Sequence, residues 1–92
     1  MKTKTQLKKD LTKGAKAIMT YHRYNFAKPE DSIVGKERTV KSTRANGVIW
    51  HDPRDTICFF DFPKSSNMKY EGNDLTVYDD DGEVLMTYKL TN

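Results

Sequence analysis

With 92 residues, the chain is shorter than an average domain, so it has room for one domain with one small core. Its 36% apolar and 11% aromatic residues exclude a disordered chain, and no apolar run approaches the roughly 18 residues of a membrane helix. We therefore expect a single folded domain over residues 1–92 and no membrane partner.

The cysteine content and the N-terminus both favour a cytoplasmic location. One cysteine, Cys58, excludes an internal disulfide framework and fits a reducing compartment. The first residues, MKTKTQLKKDL, are basic, but the apolar segment of a secretion signal does not follow them.

The net charge of +3 hides a strong difference between the two halves of the chain. Residues 1–46 carry twelve Lys and Arg against four acids, a net charge of +8, whereas residues 47–92 carry four against nine, a net charge of −5. This asymmetry favours a polyanionic partner or a protein that handles nucleic acid. The alternative is that the two halves neutralise each other in the fold.

An amphipathic pattern near the start predicts a short helix over about residues 4–13. Apolar residues recur every four positions from Leu7 to Ala15, with lysines on the other faces. Thr3 or Thr5 is placed to cap the helix N-terminus.

The next stretch, AKAIMTYHRYNF at residues 15–26, has a period of two and predicts a long first strand. Met19 and Tyr21 are expected in the core or at its rim. Three side chains toward the strand end are expected to be partly exposed: His22, Tyr24 and Phe26. The following residues, AKPEDSIVGK, are typical of a loop.

Asn46-Gly47 predicts a type I′ hairpin, in which both turn residues have positive φ. This register pairs Ala45 with Val48 and Thr43 with Trp50, and it directs these four side chains inward, with Trp50 as the largest core residue. The other face is expected to point outward: Arg38, Ser42, Arg44, Ile49 and His51.

The remaining apolar stretches predict further strands. ICFFDF at residues 57–62 is apolar on both faces, as in a central strand, and MKY at residues 68–70 fits a short one. LTVYDDDGEVLMTYKL at residues 75–90 predicts a second hairpin. A short N-terminal helix followed by about six short antiparallel strands over about residues 15–90 indicates an α+β fold, either a curled sheet or an SH3-like barrel.

No catalytic or metal-binding pattern is complete in the sequence. The acidic turn DDDGE lacks the spacing of a calcium loop, and His22, His51 and Cys58 lack the paired spacing of a zinc site. We expect Cys58 to be a small buried apolar residue. A chain of this size has little room for a pocket of about 300 Å³ or more, so we expect no catalysis, no cofactor and no small-molecule substrate.

The candidate binding surface begins in TYHRYNFAK at residues 20–28, which combines aromatic rings with cations. Cations of the next segment extend it, although no established nucleic-acid-binding motif accompanies them. The candidate binding residues are Arg23, Tyr24, Phe26, Lys28, Arg38, Lys41, Arg44 and His51.

In size, in its lysine-, asparagine- and tyrosine-rich composition and in its lack of a catalytic pattern, the whole chain resembles the small proteins that phages and mobile elements use against host machinery, anti-CRISPR inhibitors among them. The resemblance involves no motif and transfers no functional residue. It implies a non-catalytic protein that inhibits or modulates a host nucleic-acid-handling protein by covering its surface.

The alternative is direct, mostly sequence-nonspecific nucleic-acid binding by the basic N-terminal half. The arrangement of charge distinguishes the two hypotheses. One continuous basic face favours nucleic acid, whereas separate basic and acidic patches around exposed aromatic side chains favour a protein partner.

Overall fold

A computed structural model describes residues 2–24, 32–51 and 58–91, and in these ranges it shows one short helix followed by seven strands. The strands form one unclosed antiparallel sheet in the order β4-β3-β2-β1-β7-β6-β5. The elements are α1 (Lys4–Asp10), β1 (Lys16–His22), β2 (Glu37–Arg44), β3 (Gly47–Trp50), β4 (Cys58–Asp61), β5 (Met68–Glu71), β6 (Asp74–Tyr78) and β7 (Val84–Leu90), with a 3₁₀ turn at Ser65–Asn67. The predicted combination of a helix with antiparallel strands is therefore confirmed, although the protein is mostly β and has seven strands instead of about six.

The helix begins where the sequence predicts and ends early. The Thr3 hydroxyl caps it by accepting a hydrogen bond from the Gln6 backbone N–H at 3.2 Å. Leu11 leaves the helical conformation, and the Gly14 N–H then donates to the Val40 carbonyl at 2.9 Å, which draws the chain towards β2. The last predicted turn of the helix is therefore replaced by a link to the sheet. No helix in the described ranges is long and apolar enough to cross a membrane.

A bulge in β1 changes which side chains reach the core. Ala17 and Met19 are buried as expected, but the pairing with β7 shifts between Met19 and Tyr21. The extra residue reverses the alternation, so Tyr21 is 46% exposed and its prediction as a core or rim residue is wrong. The strand also ends at His22 instead of continuing to Phe26, which lies outside the described residues.

The β2–β3 hairpin forms, but its turn lies one residue earlier than predicted, so each residue of β2 beside the turn pairs two residues away from its predicted partner. Arg44 pairs with Gly47, so the two-residue turn is Ala45-Asn46, and Gly47 lies in β3 without a positive φ. The reason lies in β4, because a Cβ atom built on Gly47 would come within 2.4 Å of the Phe60 carbonyl oxygen. The glycine allows β3 and β4 to approach closely instead of forming a left-handed turn.

The burial of the hairpin side chains agrees with the prediction in β3 and differs from it in β2. Val48 and Trp50 point inward as expected, whereas Thr43 and Ala45 are exposed. Trp50, at 2% exposure, is the largest fully buried side chain among the described residues, which confirms it as the core anchor. It stacks on Tyr88 of β7 with ring centroids 6.1 Å apart.

The C-terminal strands follow the predicted pattern more closely. β5 and β6 are joined by Gly72-Asn73, with Gly72 at a φ of 56°, and β6 and β7 form the second hairpin around the acidic turn. The Lys2 N–H pairs with the Tyr70 carbonyl at 2.7 Å and extends the ladder beside β5.

β4 is not the central strand that its two apolar faces predict. In the sheet order it lies at one edge and pairs with β3. Phe60 points into the core at 6% exposure, whereas Phe59 is 55% exposed. The outer ring is covered in part by the Arg44 guanidinium, which lies 4.9 Å from its centroid, so a flanking cation accounts for this apolar residue on the outer face.

Candidate binding groove

Two exposed aromatic rings each lie against an arginine that an aspartate holds in place. We call the first group, Arg23, Tyr24 and Asp79, the Tyr24 cluster. The Arg23 Nη1 atom is 2.6 Å from the Asp79 carboxylate, its Nη2 donates to the Val84 carbonyl at 2.8 Å, and its guanidinium lies 5.8 Å from the Tyr24 ring centroid. The arginine is therefore fixed between the β6–β7 turn and an aromatic ring that is 59% exposed.

Asp79 is the residue that organises this turn. Its Oδ1 atom accepts hydrogen bonds from the backbone N–H groups of Asp81 and Glu83 at 2.9 and 3.0 Å. The hydrogen bond from Arg23, followed by those from the two backbone N–H groups, holds the pKa of the Asp79 carboxyl below its usual range, and Asp79 in turn raises the pKa of Arg23. The DDDGE stretch therefore serves as a hairpin turn bonded to an arginine.

We call the second group, Arg44, Phe59 and Asp61, the Phe59 cluster. Arg44 Nη2 lies 3.2 Å from the Asp61 carboxylate, and the guanidinium stacks over the Phe59 ring. Gly47 pairs with both Arg44 and Asp61, so the missing side chain leaves a path across β3 for the arginine. Sequence reasoning identified Arg23, Tyr24 and Arg44 but missed both aspartates and Phe59, which come from strands far along the chain.

An open cavity of about 640 Å³ lies between the two clusters. Its lining includes Phe59 and Asp61 of the Phe59 cluster and Asp79 of the Tyr24 cluster. Its buried lining residues are Met19, Arg38, Phe60, Val77 and Tyr88. We call this cavity the groove. Its volume contradicts the expectation that so short a chain has little room for a pocket of about 300 Å³.

Arg38 is the charged residue in the lining of the groove that lies deepest in the protein. It is 7% exposed, so the prediction that it points outward is wrong. The β2–β3 pairing shifts between Val40 and Ser42, and this bulge brings Arg38 onto the same face as Val40 and Trp50. A residue proposed for a surface patch is instead part of the interior wall of a cavity.

The surroundings of Arg38 are aromatic and sulfur-containing. Its Nη1 donates a hydrogen bond to the Cys58 Sγ at 2.8 Å, and its guanidinium lies 4.8 Å from the Trp50 ring centroid. Burial raises the pKa of Tyr88 to about 12, and the positive charge of Arg38 opposes that rise. Cys58 packs against the core as expected, but it is only partly buried and it accepts a hydrogen bond from a cation.

The remaining predicted binding residues lie away from the groove or outside the described part of the chain. Lys41 and His51 are exposed, and neither lines the groove. Phe26 and Lys28 lie outside the described residues. Across residues 2–24, 32–51 and 58–91, no group of three or more His, Cys, Asp or Glu side chains is arranged to hold a metal ion.

A second charged surface lies on the side of the helix, and we call it the basic strip. It consists of Lys8, Lys13 and Lys41, all exposed. Lys8 Nζ donates to the Ala45 carbonyl at 3.4 Å, and the bond from the Gly14 N–H to the Val40 carbonyl places residues 13 and 41 side by side. Lys8 of α1, Lys13 just after it and Lys41 of β2 therefore belong to one region, whereas Asp79 and Asp80 of the acidic turn line the groove.

Comparisons with protein families, with characterised proteins and with solved structures found no match to this chain. The function of the groove and of the basic strip therefore has to be inferred from their own residues.

Proposed function

We propose that the chain is a non-catalytic binding protein that inhibits or modulates a nucleic-acid-handling protein by covering part of its surface, as anti-CRISPR inhibitors do. The contact face in this proposal is the groove together with its two flanking clusters. The observation that carries it is that Arg23 and Arg44 are each paired with an aspartate from the acidic half of the chain.

This pairing favours a protein partner over a phosphate backbone. A paired arginine releases few counterions from nucleic acid, so it adds little to phosphate binding. A paired and stacked arginine is nevertheless already ordered, so it loses less side-chain entropy when a partner protein binds to it. Tyrosine and arginine are also the residue types that dominate binding energy in protein interfaces.

We further propose that the sheet is curled, in the manner of an SH3-like barrel. In the strand order, β4 and β6 are five positions apart, which in a flat sheet corresponds to roughly 24 Å. Both strands nevertheless line the same groove, and Phe60 of β4 lies 5.1 Å from Tyr88 of β7 between ring centroids. Nuclear Overhauser effects between these two rings are expected in solution, and their absence would contradict the curl.

The contact face is tested with the double variant Tyr24→Ser, Phe59→Ser and the matched control Lys9→Ser, Lys13→Ser. We expect the wild type and the control to retain a nucleic-acid-handling protein in nearly equimolar amount and to reduce its activity. The double variant Tyr24→Ser, Phe59→Ser should bind that protein at least about 30-fold more weakly, because two ring contacts are lost. Equal retention by both variants, or a partner that does not handle nucleic acid, would contradict the proposal.

The basic strip supports the alternative function, direct and mostly sequence-nonspecific nucleic-acid binding. Among the described residues, no acid forms a salt bridge with Lys8, Lys13 or Lys41. If these lysines contact phosphates, changing all three to Glu makes the slope of log affinity against log salt concentration shallower by about 2.7. The loss of affinity between 50 and 200 mM salt is then about 40-fold smaller than in the wild type. Fluorescence anisotropy with labelled single- and double-stranded DNA and RNA measures this directly, and absence of binding at 50 mM salt would exclude the alternative.

A further inference from the structure

Arg38 carries a positive charge that the described fold does not neutralise. Within residues 2–24, 32–51 and 58–91, no carboxylate lies within ion-pair distance of its guanidinium. The hydrogen bond to Cys58 Sγ uses one of several N–H donors. A buried charge without a counterion is costly, and proteins usually neutralise it with a paired group.

The groove gives a ligand access to this charge. Arg38 is in the lining of a cavity whose volume of about 640 Å³ falls in the range of small-molecule sites. The other buried lining residues are apolar or aromatic, among them Met19, Phe60 and Val77. Such a site suits a molecule with an apolar body and one anionic end.

The charges around the groove favour a carboxylate over a phosphate. One arginine lies in the buried lining, whereas the other lining residues include three aspartates, Asp61, Asp79 and Asp80, against one lysine, Lys64. A phosphate group with nearly two negative charges would be repelled by these acids, while a carboxylate matches the single guanidinium and its paired N–H donors. The Tyr88 hydroxyl, which its raised pKa keeps neutral near neutral pH, hydrogen-bonds to Arg38 without neutralising the positive charge.

We propose that the groove binds a small apolar carboxylic acid, with Arg38 as the residue that binds its carboxylate. This site does not depend on a protein partner, so it can be present or absent whatever the fate of the proposed function. It assigns to Arg38 a ligand that the sequence pattern did not indicate, because that pattern placed the residue outside.

Two single-copy residues beside Arg38 report on the test. Trp50 is the only tryptophan and Cys58 the only cysteine of the chain, and both contact the guanidinium. The probes are 3-phenylpropanoate, its neutral amide, and phenyl phosphate. Binding is followed by Trp50 fluorescence, and in parallel by the rate at which iodoacetamide alkylates Cys58, which a ligand on Arg38 slows.

We expect 3-phenylpropanoate to change the fluorescence and to protect Cys58, and the amide to bind at least about tenfold more weakly. Arg38→Met should lower carboxylate affinity by about tenfold or more without altering the amide, whereas the control Lys89→Met, at an exposed cation outside the groove lining, should leave both unchanged. If Arg38→Met does not fold, Arg38→Lys keeps the charge but loses the paired donors, and it should still weaken the carboxylate more than the amide.

Three results would overturn the proposal. The first is equal affinity for the acid and the amide, and the second is undiminished carboxylate binding by folded Arg38→Met. The third is tighter binding of phenyl phosphate than of the carboxylate, which would refute the ligand class. Binding of a nucleic-acid-handling protein by the wild type would remain a separate result in each case.

Discussion

Gly47 distinguishes the observed β2–β3 register from the register that the sequence predicts. A Cβ atom at this position would lie 2.4 Å from the Phe60 carbonyl oxygen and 3.1 Å from the Asp61 Cα, compared with roughly 3.5 Å for an ordinary contact. Both obstacles are backbone atoms of the paired strand β4, so they can move only by loosening the sheet. We therefore expect Gly47→Ala to lower the free energy of unfolding by about 2–3 kcal/mol, as overpacking does in cores.

Gly47→Asn is the variant that separates the two registers. In a type I′ turn with positive φ, Asn is among the best replacements for Gly, and the substitution should cost well under about 1 kcal/mol. In the observed register, Asn has the same Cβ clash as Ala, so both variants should lose about 2–3 kcal/mol. Gly72→Asn is the control, because Gly72 has a φ of 56° and no atom within 4 Å of its built Cβ, and it should lose less than about 1 kcal/mol.

Urea unfolding followed by Trp50 fluorescence measures these free energies. For a domain of this size, a loss of 2–3 kcal/mol corresponds to a fall of about 10–20 °C in Tm. The observed register would be refuted if Gly47→Asn stayed within about 0.5 kcal/mol of the wild type while Gly47→Ala was clearly destabilised, since only a turn residue with positive φ behaves in that way.

Three further substitutions test the core, the helix cap and one hydrogen bond. Trp50→Ala should cost about 3–5 kcal/mol in urea unfolding, and a loss below about 1 kcal/mol would place Trp50 at the surface. Thr3→Ala should cost about 1 kcal/mol through loss of the cap to α1, and no change in stability would contradict the cap. The Tyr70 hydroxyl donates a hydrogen bond to the Asp10 carboxylate at 2.5 Å and lowers the pKa of Asp10 below 3.8, its ordinary value. The bond therefore stabilises the fold above that pH, and this stabilisation is lost as the pH falls through the lower pKa of the folded state. Tyr70→Phe should therefore lose less stability than the wild type on acidification below about pH 4, and equal losses would contradict the linkage.

Local periodicity was enough to predict the elements whose pattern is uninterrupted. The helix over Lys4–Asp10 has apolar residues at a spacing of four, and the sequences of β6 and β7 alternate on either side of an acidic turn. The pairing of β6 and β7 is irregular only between Val77 and Tyr78. Trp50 was predicted as the core anchor because it shares the inward face of its strand with Val48 and has the largest side chain on that face.

Bulges account for the wrong predictions of side-chain direction. One extra residue between Met19 and Tyr21, and another between Val40 and Ser42, each reverse the alternation on one side of the bulge. Tyr21 is thereby turned outward, and Arg38 inward. A bulge is set by the partner strand, and the sequence of one strand does not contain that information.

The groove was beyond sequence reasoning for a related physical reason. Arg23 and Asp79 are 56 residues apart, and the Phe59 cluster joins residues from β2 and β4 across an intervening strand. Each side chain looked like an ordinary surface residue by itself. Only the opposite charges of the two halves of the chain indicated such pairs, and they did not indicate which residues would meet.

Substitution of Arg38 should affect the free energy of unfolding differently from substitution of the other buried residues. Its loss takes away a hydrogen bond to Cys58 and a contact with the Trp50 ring, each worth about 1 kcal/mol, but it also removes the cost of burying a charge, which is several kcal/mol. We therefore expect the free energy of unfolding of Arg38→Met, measured by circular dichroism, to equal or exceed that of the wild type. Val40→Ala, a buried control on the same face, should lose about 2 kcal/mol. A loss above about 2 kcal/mol in Arg38→Met would show that the guanidinium stabilises the fold, and the unpaired charge would then no longer argue for a carboxylate ligand.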